Sequence, residues 1–172
     1  MQFQFSHEFE VPLGRVEQAV MSPELPALLG ARLRALRSID TLAHQLDDGV
    51  LSRVWRFRAL RPLPLLRSRR LTPDMLCWDE HWSYRVADHV AEWFVVPRPE
   101  AAGDAPWRRR FDSAGRYQLL ELGARRTRRT VTGGLRVDLS LVGRAVERLA
   151  LGELRKVYAA EADTLRALCN RS

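Results

Sequence analysis

Two charged side chains stand where strand alternation asks for apolar ones. In Val50–Leu60, Leu51, Trp55, Phe57 and Ala59 share one parity, and Arg53 falls among them while Arg56 and Arg58 take the other side. In the next strand-like run, Trp78, Trp82, Tyr84 and Val86 share a parity that includes Glu80. Burying a charge without compensation is costly, so each must be paired, line a hydrated cavity or turn outward at an irregularity. The expected solution is an Arg53–Glu80 ion pair that fixes the polar end of a ligand, whereas a register slip of one residue would put both in water. Glu161, near the apolar side of a C-terminal helix, is a third charged candidate. Glu80, Glu161 or a histidine could also supply acid or base chemistry.

Other chemistries have less to stand on. His7, His44, His81 and His89 lack the spacing of zinc ligands, so no metal site is expected. No nucleophile elbow, phosphate loop or dinucleotide fingerprint occurs, so no cofactor is expected either. The formal charge is +7, but the basic residues are 27 Arg and the single Lys156, a ratio that codon bias in a GC-rich genome would produce. Arg108–Arg110 and Arg125–Arg129 therefore read as a solvated sheet edge rather than a nucleic-acid contact. Cys77 and Cys169 are far apart and fit a reducing, cytoplasmic setting. MQFQFSHEFEV has neither the cationic start nor the apolar core of a signal peptide, and no apolar run approaches the roughly 20 residues of a membrane-spanning helix. Arg61–Leu71 interleaves four leucines with four arginines; it could touch an anionic membrane surface, flank a cavity mouth or simply connect strands.

The elements that would position these groups are legible from periodicity. The 172 residues, 46% apolar and 28% charged, suit one domain over 1–172. Phe3, Phe5, Phe9 and Val11 mark a half-buried strand, interrupted on its apolar side by His7. Pro12 ends it, and Leu13, Val16, Ala19 and Val20 recur at helical spacing. Ser22-Pro23-Glu24 should cap a second short helix that Gly30 closes. Strands follow near Ala35–Leu46 and Val50–Leu60, joined at Asp47-Asp48-Gly49. A turn at Ala87-Asp88 leads into His89–Val96 and sets Trp82 opposite Trp93. Pro97–Pro106 is a long loop, and Arg108–Leu122 and Arg126–Leu139 are two more strands. Val131, Gly133, Leu135 and Val137 share a face in the last, where Gly133-Gly134 suggests a bulge or bend. A helix over Gly143–Cys169, about 40 Å long, ends the chain. The layout is α+β: a curved antiparallel sheet of about six or seven strands around a long C-terminal helix, with two short helices after the first strand.

This order resembles the helix-grip fold of the START-like (SRPBCC) superfamily, which includes polyketide cyclases and lipid-transfer proteins. The segment from Thr130 to Leu149, TVTGGLRVDLSLVGRAVERL, with Glu161 downstream, is similar to the last strand and helix of an uncharacterised START-like bacterial family. Phe9–Val20, FEVPLGRVEQAV, is similar to its first strand and helix. The resemblance implies an apolar cavity between sheet and helix that holds a lipid, fatty acid or polyketide-like molecule for transport or sensing. It brings no catalytic motif, so binding rather than catalysis is expected. The ligand-lining set expected on this basis is Arg53, Trp55, Phe57, Glu80, Trp82, Tyr84, Tyr117, Leu135, Val157 and Glu161. Two alternatives stay open: a cyclase- or hydratase-type enzyme using a cavity carboxylate, and a protein-interaction module with a filled core.

Overall fold

A computed structural model describes residues 1–60, 63–65, 69–71, 76–98, 111–138 and 143–171, the two three-residue pieces by backbone alone. Strand β1 (Gln2–Phe9) is followed by helices α1 (Leu13–Met21) and α2 (Leu25–Arg32), then β2 (Leu36–Asp47) and β3 (Val50–Ala59). Two short strands, β4 (Leu63–Leu65) and β5 (Arg69–Leu71), pair with each other in a separate two-stranded sheet. Then come β6 (Cys77–Arg85), β7 (Val90–Pro97), β8 (Phe111–Gly123), β9 (Arg126–Val137) and helix α3 (Gly143–Cys169). The main sheet has seven strands in the order β1-β9-β8-β7-β6-β3-β2, every pair antiparallel. It curves around α3 in a helix grip, the α+β architecture expected.

Alternation sets what faces the helix. Leu51, Arg53, Trp55 and Phe57 of β3 are buried while Ser52 is exposed, and β9 buries every second residue from Thr127 to Val137. On the outer face of β3, Arg56 and Arg58 form ion pairs with Asp79 and Asp40. The β2–β3 hairpin turns on Asp48 (φ 43°) and Gly49 (φ 72°), the two consecutive positive φ angles of a type I′ turn. Trp82 does stand opposite Trp93.

Several local expectations need correction. Gly133-Gly134 is not a bulge, since the β8–β9 register runs unbroken there and shifts only between Glu121 and Gly123. The glycine is needed for a different reason. Gly133 lies opposite Gly115, and a Cβ on either would come within 2.6 Å of Cζ2 of Trp93, whose indole occupies that space. At Gly115 it would also meet the Thr132 carbonyl oxygen at 2.0 Å. Ser22 does not cap α2 as its N-cap residue. That position is Glu24, whose amide donates to Ser22 Oγ at 3.3 Å, and Pro26 occupies the first turn. Gly30 lies inside the helix, which continues to Arg32. Pro97 closes β7, and the remainder of the expected loop beyond Arg98, together with Arg108–Arg110, lies outside the described residues. The same holds for the side chains of Arg61–Leu71, so the suggested membrane contact lies there too. Among the described residues, no helix is long and apolar enough to cross a membrane.

Helix α3 docks unevenly. From Tyr158 onward it buries Tyr158, Glu161, Ala162, Thr164, Leu165, Leu168 and Cys169, whereas the fifteen residues before Tyr158 bury only Gly143 and Val146. Leu151, Leu154 and Val157 are only half-buried against the core.

Candidate functional site

The site lies where the middle of α3, from Leu154 to Glu161, crosses the inward faces of β3, β6, β7 and β8. A cavity of about 60 Å³ there is lined by Arg53, Trp55 and Phe57 of β3, Trp78, Glu80 and Trp82 of β6, Trp93 of β7 and Tyr117 of β8. Leu29 of α2 and Leu154, Val157, Tyr158 and Glu161 of α3 complete the wall. The strand residues arrive together because β3 and β6 pair with Arg53 opposite Trp82 and Trp55 opposite Glu80, while Trp82 faces Trp93 on β7. Eight of the ten expected lining residues meet here. Tyr84 and Leu135 do not.

Arg53 is buried and is not ion-paired with Glu80, contrary to expectation. Its guanidinium lies 3.8 Å from the Trp55 ring centroid and 4.0 Å from that of Trp82, between two indole faces. Nη1 donates to the Val20 carbonyl at 3.3 Å, and Nε has no acceptor among the described residues. Two cation–π contacts and one carbonyl thus do what the carboxylate was expected to do. The physical reason is register: across this strand pair Glu80 is diagonal to Arg53, and the indole rings fill the nearer positions. Burial pulls the Arg53 pKa down, and the charge of Glu80 acts against that from a distance.

Glu80 is half-buried, its remaining surface forming part of the cavity wall. Its carboxyl has no hydrogen-bonding or ion-pairing partner among the described residues. Burial pushes its pKa up to about 7, only partly opposed by Arg53 and further assisted by Glu161.

Glu161 is held by a residue of the Arg125–Arg129 run, not all of which is solvated as expected. Arg129 is fully buried; its Nη1 donates to Glu161 Oε2 at 2.7 Å and its Nη2 to the Tyr158 carbonyl at 2.7 Å. Nη2 also reaches His7 Nδ1 at 3.0 Å, and β1–β9 pairing places His7 directly opposite Arg129. Burial, with Arg129 beside it, lowers the His7 pKa to about 4, so the ring is neutral at pH 7 and Nδ1 accepts. Parity was the available signal: Arg129 falls with Val131, Gly133, Leu135 and Val137 on the inward side.

Tyr84 is fully buried one step further along β6, its ring stacked on that of Trp82 with centroids 5.1 Å apart. Its hydroxyl donates to Glu17 Oε1 at 2.5 Å, and the same oxygen lies 2.8 Å from His89 Nδ1. Leu135 is buried on β9, next to β1 in the sheet, and its carbonyl accepts from the Met1 amino group. Among the described residues, no three His, Cys, Asp or Glu side chains cluster in a way that could hold a metal ion.

Residues 4–168 match the model of a family described as "Protein of unknown function (DUF2505)". No curated protein matches the chain. The Zhui aromatase/cyclase from Streptomyces sp. R1128 superposes with a TM-score of 0.66 at 12% identity, over 99% of this chain and 94% of that one. Norcoclaurine synthase from Thalictrum flavum gives 0.64 at 14% identity, over 100% and 87%. A START superfamily protein from Mycobacterium smegmatis gives 0.57 at 16%, over 99% and 97%. At these identities the likeness is one of fold.

Proposed function

The chain belongs to the DUF2505 family and has the START-like helix-grip fold, and from that premise we propose that it binds a small hydrophobic ligand non-covalently between the sheet and α3, for transport or sensing. The observation that carries this reading is the wall itself. Seven aromatic side chains and three aliphatic ones surround a cavity that the fold does not fill. At about 60 Å³ the cavity is well below the roughly 300 Å³ at which ligand pockets begin, so occupancy requires the wall to move. The N-terminal half of α3 is the part that can do so, because it forfeits little buried surface when it lifts. Leu154 and Val157 lie at that mouth.

Titration of the chain with an apolar naphthalene probe, followed by tryptophan fluorescence, tests this together with native mass spectrometry for a co-purifying molecule. Leu154→Trp, at a half-buried position, should close the mouth and abolish probe binding while the protein stays folded. Unchanged binding in that variant would overturn the assignment.

Glu80 supports a second reading, acid–base catalysis of the cyclase or hydratase kind. A carboxyl without a partner, in an aromatic cavity and titrating near 7, has what a proton-transfer group needs. On this reading Glu80→Gln would lose turnover and keep binding.

A further inference from the structure

The cavity wall is unequal in its hydrogen-bonding sense. Three buried donors on lining residues, Arg53 Nε, Trp55 Nε1 and Trp93 Nε1, have no acceptor among the described residues. The Tyr117 hydroxyl makes a fourth. The Arg129 guanidinium beside it can donate to its oxygen but accept nothing, so the phenolic proton is unpaired as well. Buried donors left unmatched cost free energy, and four of them around one small cavity is a concentration that an aliphatic ligand would not relieve.

Charge sharpens the inference. Arg129 and Glu161 neutralise each other at 2.7 Å. That leaves Arg53 as a cation whose faces are covered by indoles and whose edge carries an open N–H. Glu80 is the counter-charge within reach of its field, yet it makes no contact pair with it.

Resting on the ligand-binding reading above, we propose that the ligand is an organic carboxylate, received by the donors of Arg53, Trp55, Trp93 and Tyr117, and that Glu80 takes up a proton when it binds. One negative charge replaces another beside Arg53. The ligand carboxylate can bring its acceptor oxygens to the unpaired donors, which the Glu80 side chain does not reach. The proton goes from solvent to the Glu80 carboxyl, and no other bond changes. Arg53 from β3 and Tyr158 and Glu161 from α3 act on Glu80 electrostatically, and Tyr117 from β8 shares the cavity wall with it.

Calorimetry with matched acid and alcohol probes, 2-naphthoate against 2-naphthylmethanol and octanoate against octanol, tests the proposal on the full chain. Each acid should bind at least tenfold tighter than its alcohol. With a free-state Glu80 pKa of about 7, acid affinity should fall about tenfold from pH 6 to pH 8. At pH 7.5, comparison of two buffers of different ionisation enthalpy should show about three quarters of a proton taken up per acid bound. Glu80→Gln should abolish that uptake and hold the pH 6 affinity at pH 8. Tyr117→Phe should weaken the acids several-fold more than the alcohols, a comparison that stands even if Arg53→Met fails to fold. Alcohols binding as tightly as acids, or acids binding with no proton uptake, would overturn the carboxylate assignment and leave hydrophobic binding intact. Binding of neither class would overturn both.

Discussion

Glu80→Gln should make the protein more stable, and by an amount that depends on pH. The native carboxyl titrates near 7 against an ordinary value of 4.5, so between those values the folded state holds more proton than the unfolded one. Stability contributed by the protonated form is therefore complete below about pH 4.5 and is lost as pH rises through about 7. Glutamine mimics the protonated carboxyl in shape and cannot ionise. Relative to the parent, the variant should gain about 3 kcal/mol at pH 8 and less than about 1 kcal/mol at pH 5, from 1.36 kcal/mol per pKa unit. Urea denaturation of both proteins at pH 5, 6, 7 and 8 measures the difference at constant ionic strength. A difference independent of pH would refute the reasoning, because it would mean that Glu80 is solvated or already paired in the native state. A difference of opposite slope would mean that Arg53 holds the carboxylate ionised after all.

Two further outcomes follow from the packing. Gly115→Ala would drive a Cβ to 2.0 Å from a backbone carbonyl and should cost more than about 3 kcal/mol or prevent folding. Gly134→Ala, whose nearest neighbour is the movable Gln2 side chain at 3.1 Å, should cost under about 1 kcal/mol in the same thermal melts, and equal losses would show that β8 and β9 do not approach at Gly115 as the structure has them. Arg129→Met or Glu161→Gln alone should each cost about 3 to 5 kcal/mol, since either leaves a buried charge without its partner. The double variant should cost less than the sum, and additivity in denaturant unfolding would mean that the pair is not coupled.

The inward set was readable from alternation because a curved sheet that buries one face enforces period two over long strands. Trp55, Phe57, Trp82 and Tyr117 fell where parity put them, and so did Arg53. Alternation fixes a face, however, and says nothing about reach. The expected Arg53–Glu80 pair fails because the two positions are diagonal and indole rings intervene. Tyr84 has the right parity and the wrong position along β6: α1 rather than α3 covers that end, and Glu17 meets it there. Arg129 was hidden by its neighbours, since a run of four arginines with Thr127 looks solvated until parity is applied within it. Local glycine signals cannot explain Gly133, because the residue that demands it, Trp93, arrives from two strands away.

The pairing of β1 with β9 has a consequence for biosynthesis. Phe3 lies opposite Gly133 and Phe9 opposite Thr127, so β1 leaves the ribosome more than a hundred residues ahead of the strand it pairs with. At roughly 5 to 20 residues per second, β1 waits about 6 to 25 s with Phe3, Phe5 and Phe9 unprotected. Such a nonlocal closure is slow in any refolding experiment as well, since the loop entropy must be met before the contact contributes. A chain interrupted before Val137 would therefore emerge with an open apolar edge, a substrate for chaperones rather than a smaller version of the same protein.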